Sequence, residues 1–258
     1  MGLFGGLFDK KSCSVCGKDI GRIFVRKLED GYLCKECTGK LSPFFSERRE
    51  STVEEIKGQL AYREENERKL ADFNPTRTIG HQMKVFVDEA QEKFVITRAR
   101  NFRDGNPDII DLKDVTGCEI DTKESRTEIM KEEKGPDGKT KRVSYNPSRY
   151  IYRYEVDCLI RVNSPYFSEI RFDVTDHSIE METGSTGRVP DPMKNTDFVE
   201  AMKMAEDIKA TLLGVREEQR EERKKAKEPK AAVICPYCGA TTKPDASGCC
   251  EYCGGPLG

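Results

Sequence analysis

Residues 150–162 read YIYRYEVDCLIRV. Tyr152, Tyr154, Val156, Cys158, Ile160 and Val162 fall on alternate positions, mostly between charged or polar neighbours. A period of two gathers those side chains on one face of an extended strand, the pattern of an antiparallel sheet buried on one side. The same period recurs from Gln82 to Glu182: Val85 with Val87, Phe94 with Ile96, Val115 and Cys118 to Ile120, then Ile170, Phe172 and Val174. Turn chemistry separates these runs at Asp104-Gly105-Asn106-Pro107 and at Pro136-Asp137-Gly138. The second turn closes a long, charged hairpin between Arg126 and Tyr145, whose Lys131, Glu132, Glu133 and Lys134 mix signs as a solvated surface does. After a loop rich in Gly, Ser and Pro from Gly184 to Pro192, the period lengthens to 3.6 through Phe198, Ala201, Met202, Ala205, Ile208 and Leu212, which predicts a helix.

Roughly seven strands followed by one amphipathic helix predict a pleckstrin-homology-like antiparallel β-barrel over residues 78–215, closed by its C-terminal helix. Working outward, both flanks are ruled by cysteine. Residues 13–37 read CSVCGKDIGRIFVRKLEDGYLCKEC and residues 235–253 read CPYCGATTKPDASGCCEYC. Eight of the 11 cysteines form four Cys-x-x-Cys pairs, with 17 residues between the first two pairs and 11 between the last two. Two residues between paired thiolates let both sulfurs reach one zinc ion at about 2.3 Å, and two such pairs complete a tetrahedral, closed structural site. The expected ligands are Cys13, Cys16, Cys34 and Cys37 for one zinc ion and Cys235, Cys238, Cys250 and Cys253 for a second. Gly17, Gly239 and Gly254 each follow a pair, where glycine lets the backbone turn its amides toward sulfur. Cys249 competes with its neighbour, but only Cys250 is spaced as Cys-x-x-Cys with Cys253. Cys118 and Cys158 lie within strand patterns and read as small buried hydrophobes.

The first pair, a hairpin turning at Glu29, Asp30 and Gly31, and the second pair predict a treble-clef-like zinc finger at 12–45, and the last two pairs a zinc ribbon at 233–258. Residues 46–77 are expected to connect the finger to the β domain. Ser51 with Glu54, and Thr52 with Glu55, fit capping-box spacing, and Val53, Ile56 and Leu60 give a narrow apolar stripe. Beyond Leu60 the sequence is nearly all charge, with Glu64 to Arg68 and Glu65 to Lys69 spaced as i,i+4 pairs, so a solvated connecting helix is expected. Residues 216–232 read as a charged linker and 1–11 as a flexible apolar N-terminus. The chain is thus a multidomain α+β protein.

Charged residues make up 35% of the chain, the mean hydropathy is -0.69 and the formal net charge is -2. No apolar run approaches the roughly 20 residues of a membrane span, and Met1 to Phe8 lacks the parts of a secretory signal. The expected compartment is the cytoplasm, where thiols stay reduced and paired cysteines are metal ligands rather than disulfides. No catalytic residues are expected. His81 and His177 accompany no nucleophile motif, and Gly184-Ser185-Thr186-Gly187 lacks the lysine of a phosphate loop.

The segments MGLFGGLFDKKSCSVCGKDIG, KLEDGYLCKECTGKLSPFF, STVEEIKGQLAYREE and CPYCGATTKPDASGCCEYCGGPL resemble bacterial proteins of the domain of unknown function 4428 family. The resemblance implies an N-terminal zinc-binding domain in bacterial proteins and no established activity. The reading as a whole is a non-enzymatic, zinc-binding adaptor with an unidentified protein partner and no small-molecule substrate. Three alternatives stand beside it. Nucleic-acid binding would use Arg22, Arg26 and Lys27, although the last module offers only Lys243. Peripheral membrane contact would use Phe4, Leu7 and Phe8 with Lys10 and Lys11. A thiol oxidoreductase would need a metal-free dithiol.

Overall fold

The computed structural model describes residues 11–21, 24–227, 233–243 and 248–257; along 215–227 only the helical backbone is described. The apolar segment Met1 to Phe8, Arg22, and residues 228–232 of the charged linker lie outside the described residues. The chain divides into two compact units, Met1–Val215 and Arg216–Gly258.

The first unit starts with two small hairpins. Strands β1 (Lys11–Ser12) and β2 (Asp19–Ile20) flank the first cysteine pair, and β3 (Arg26–Lys27) pairs with β4 (Tyr32–Leu33). A short helix α1 (Lys35–Gly39) follows. Close packing fixes the β3–β4 turn: a Cβ on Gly31 would lie 2.5 Å from Ser14 Oγ and 2.7 Å from Val53 Cγ2. The neighbouring Asp30 carboxylate accepts from the Val53 N–H at 2.7 Å, so the hairpin tip caps the next helix.

That helix, α2 (Val53–Asp72), begins with a capping box: the Thr52 hydroxyl accepts from the Glu55 N–H and the Glu55 carboxylate from the Thr52 N–H. It differs from the solvated connector that its charge suggests. Ile56, Gln59, Arg63, Asn66 and Leu70 recur at three and four residues and are all buried. Ile56 packs with Leu28, Leu33 and Leu41 beneath the first cysteines, whereas Leu70 and Phe73 pack on Phe86 and Val95 of the β domain. The expected Glu64–Arg68 and Glu65–Lys69 pairs are replaced by Arg68 with Glu65 at 3.3 Å.

Strands β5 (Arg77–Ile79), β6 (Lys84–Asp88), β7 (Lys93–Thr97) and β8 (Ile109–Asp111) form an antiparallel meander in that order. Both of its faces are covered. Val85, Val87, Phe94 and Ile96 enter the main core, and Phe86 and Val95 face α2. In the second sheet the long strands β9 (Val115–Lys134) and β10 (Thr140–Val162) pair along their length. The other edge of β10 is shared end to end by β11 (Glu169–Asp173) and β12 (Ile179–Glu182). Its inner face supplies Tyr152, Tyr154, Val156, Cys158, Ile160 and Val162 to the main core. Its outer face carries crossed ion pairs such as Arg161 with Glu119 at 2.5 Å and Arg153 with Glu180 at 2.7 Å.

Helix α3 (Thr196–Lys227) adds Phe198, Ala201, Ala205, Ile208 and Leu212 to the same core, while Met202 is half-buried at its edge. The expectation of a closed barrel is corrected here. The two sheets remain separate and open, because no ladder joins a strand of β5–β8 to one of β9–β12, and they share a core instead of hydrogen bonds. In the second unit β13 (Val233–Ile234) pairs with β14 (Thr241–Thr242), and a bridge joins Cys249 to Pro256. Among the described residues no helix is long and apolar enough to cross a membrane.

Candidate metal centres

Three of the four Cys-x-x-Cys pairs share one local structure. In each, the N–H of the first cysteine donates to the carbonyl five residues on, and the N–H four residues on donates back to the cysteine carbonyl. The bonds are Cys13 to Lys18 and Gly17 to Cys13, Cys235 to Ala240 and Gly239 to Cys235, Cys250 to Gly255 and Gly254 to Cys250, all 2.8–2.9 Å. The turn this creates requires a left-handed residue after the second cysteine. Gly17, Gly239 and Gly254 occupy those places with φ of 73°, 72° and 70°.

The fourth pair is built on a helix. Cys34 is the N-cap of α1, and its sulfur accepts from the Cys37 N–H at 3.4 Å. Across the site, Lys18 of the first knuckle pairs with Glu36 of α1 at 2.5 Å.

The structure brings Cys13, Cys16, Cys34 and Cys37 into one group and Cys235, Cys238, Cys250 and Cys253 into another, with all four sulfurs of each within 4.8 Å of one another. Cys16 and Cys34 sulfurs are 3.7 Å apart, Cys238 and Cys250 3.7 Å, and Cys235 and Cys253 3.6 Å. A tetrahedron with metal–sulfur bonds of about 2.3 Å has edges of about 3.8 Å, so the spacing fits a tetrathiolate metal centre without rearrangement. Cys249 stays outside its neighbour's group and is half-buried in the bridge to Pro256. Cys118 and Cys158 are buried in the β domain.

Four thiols so close divide their affinity for protons. Burial pushes the Cys13 thiol up, but backbone hydrogen bonds from Cys16, Cys34 and Val15 hold it down to about 6. Burial and hydrogen bonds with Cys16, Cys34 and Cys13 push Cys37 far up. In the second group, burial of Cys235 is outweighed by backbone bonds from Cys238 and Tyr237, which leave it at about 7. The Gly255 N–H lowers Cys253, but hydrogen bonds with Cys238 and Cys235 outweigh it and carry that thiol to about 12. Some protons leave readily and others only when a cation replaces them, so metal binding at either group releases protons.

The first centre is tied to the β domain by a buried polar network that its cysteines do not reveal. Arg63 of α2 donates to Asp108 at 2.7 Å, and both side chains are almost fully buried, 6% and 0% exposed. The same guanidinium reaches the carbonyls of Lys40, just after α1, and of Asn106. Ser42 donates to the second Asp108 oxygen at 2.7 Å, and Asn66 bonds to Asn106, Pro107 and Ile109. Burial pushes the Asp108 carboxyl up; the Arg63 charge and the Ser42 hydroxyl pull it back. Spacing could have exposed this role, because Gln59, Arg63 and Asn66 continue the helical face begun by Ile56.

No curated protein and no solved structure matches the chain. Residues 11–59, which hold the whole first cysteine group and the opening turns of α2, match the family model described as Domain of unknown function (DUF4428).

Proposed function

We propose that this chain is a non-enzymatic, zinc-stabilised interaction protein of the bacterial cytoplasm, with zinc as the metal at both tetrathiolate centres and an unidentified protein as partner. Four thiolates form a soft donor set suited to zinc, and four protein ligands leave no open position for a substrate, which favours structural over catalytic metal. Knuckle, hairpin and short helix around the first centre favour a treble-clef finger; two facing knuckles around the second favour a zinc ribbon. Two open sheets followed by α3 keep the strand and helix order of a pleckstrin-homology-like domain.

The observation that carries the interaction reading is the arm formed by β9 and β10. Beyond Tyr150, which still exchanges hydrogen bonds of 3.0 Å with Thr183 just after β12, β10 is paired with β9 alone among the described strands. Ile129–Lys134 therefore extend as half of a two-stranded ribbon, roughly 20 Å at about 3.4 Å per residue. From Lys123 outward, the far edge of β9 pairs with no strand among the described residues. On the arm, Arg149 lies 4.4 Å and Lys131 5.9 Å from the Tyr145 ring, and Met130 is exposed. An extended ribbon with a free edge suits the addition of a partner strand.

The test is affinity purification from the native host, with the intact chain beside one whose arm is cut to a tight turn between Thr127 and Tyr150. A protein partner held by the intact chain and lost from the shortened, still folded one supports the proposal. Equal capture by both, or recovery of nucleic acid or lipid in place of protein, contradicts it.

A further inference from the structure

A second feature of the finger lies away from its cysteines. A cleft of about 910 Å³ opens between β3 and the turn at 47–50, lined by Arg26, Lys27, Leu28, Glu29, Arg48 and Arg49. Four cations and one carboxylate line it. Among the described residues, the ion pairs made by residues 11–63 with partners further than i+2 are Lys18 with Glu36, Lys57 with Glu54 and Arg63 with Asp108, and none of them uses those four cations. Four cations against one carboxylate leave a net positive charge in the cleft, and the repulsion among them is relieved by a bound anion.

Arg48 sharpens the point. Its Nη1 is buried and has no hydrogen-bond partner among the described residues, which forfeits the hydration of that N–H with nothing in return. Burial, then the charges of Arg26 and Arg49, lower the pKa of this guanidinium, as expected of cations facing one another. Both walls are held by hydrogen bonds. Strand β3 is fixed by its pairing with β4, the Glu29 N–H donates to the Ser51 carbonyl at 3.0 Å, and the Ser51 hydroxyl donates to the Glu47 carbonyl at 2.8 Å. The cations are thus presented by a preformed frame.

We propose that this cleft binds a terminal phosphate, either inorganic phosphate or the head of a phosphomonoester, with Arg48 as the forked donor and Arg26 and Arg49 on its flanks. Guanidinium groups match phosphate oxygens two at a time. Three of them lining one cleft, near enough for Arg26 and Arg49 to act on Arg48, favour a group carrying close to two negative charges over a phosphodiester, which carries one. A nucleic-acid backbone would call for cations set out in a row, whereas these line one cleft with Glu29 beside them. The phosphate could be free in solution or could belong to a lipid headgroup such as phosphatidate.

The experiment uses the full-length, metal-loaded chain. Binding of inorganic phosphate is measured by equilibrium dialysis, and binding to phosphatidylcholine vesicles with and without phosphatidate by flotation. The wild type is compared with Arg48→Met, Arg48→Lys and the exposed Arg49→Ala, each checked for metal content and circular dichroism. Phosphate retention should fall about tenfold in Arg48→Met and less in Arg48→Lys, which keeps the charge and loses the fork. If Arg48→Met fails to fold, Arg49→Ala carries the test with a fall of about threefold, since it removes one flanking charge. Flotation that needs phosphatidate and is lost in the variants assigns the source to a lipid; dialysis binding without flotation assigns it to a soluble phosphate. Absence of both, binding indifferent to these substitutions, or arginine-dependent binding confined to an oligonucleotide would each overturn the proposal.

Discussion

Substituting Arg63 by Met tests whether the first metal centre and the β domain fold as one body. The change keeps an apolar stem of similar reach and removes the guanidinium that binds Asp108, the Lys40 carbonyl and the Asn106 carbonyl. The Asp108 side chain is fully buried and would keep only Ser42 as a side-chain donor. Breaking a buried ion pair from one side costs roughly 3–5 kcal/mol, most of it from the stranded charge. Urea denaturation of metal-loaded protein, followed by tyrosine fluorescence and by release of metal to a chromogenic chelator, should show a loss of that order in both signals together. The double substitution Arg63→Met with Asp108→Leu should recover a large part, since replacing both partners removes the unpaired carboxylate. A loss below about 1 kcal/mol, or metal release uncoupled from unfolding of the β domain, would refute the reasoning.

Two further outcomes follow from the packing. Ile208, 1% exposed where α3 meets both sheets, should cost roughly 2–5 kcal/mol on replacement by Ala, read from the same denaturation curves. Asp88 is 2% exposed; burial pushes its carboxyl up, but N–H groups of Asn74, Gln91 and Ala90 outweigh this and hold it below the usual carboxylate range. Its folded pKa is depressed, so its contribution is complete above about pH 4 and is lost as pH falls through the folded value. Asp88→Asn should therefore flatten stability against pH in that acid range, as measured by denaturation between pH 2 and 5.

What the sequence discloses depends on how local the cause is. Both cysteine groups are legible because two-residue spacing and a following glycine are properties of a few consecutive positions. Capping of α2 by Thr52 and Glu55 is equally local, and the alternation in β10 survives because its outer face meets water. Docking of α2 is hidden, since much of its buried face is Gln59, Arg63 and Asn66, which hydropathy marks as solvated, and only the fold supplies the partners that Arg63 and Asn66 find in the 104–108 loop. A sign of it does exist: Val85-Phe86-Val87 and Phe94-Val95-Ile96 are unbroken apolar runs, the mark of strands covered on both faces. Whether two sheets close into a barrel depends on pairing between distant strands, and no periodicity encodes that.

The measurement that bears most directly on the central claim is zinc content by elemental analysis of freshly reduced, full-length protein, alongside Cys16→Ser and Cys238→Ser. Two zinc ions per chain in the wild type, and one in each variant, are predicted from the two tetrathiolate groups. One ion or none in the wild type, or two retained in either variant, would contradict it.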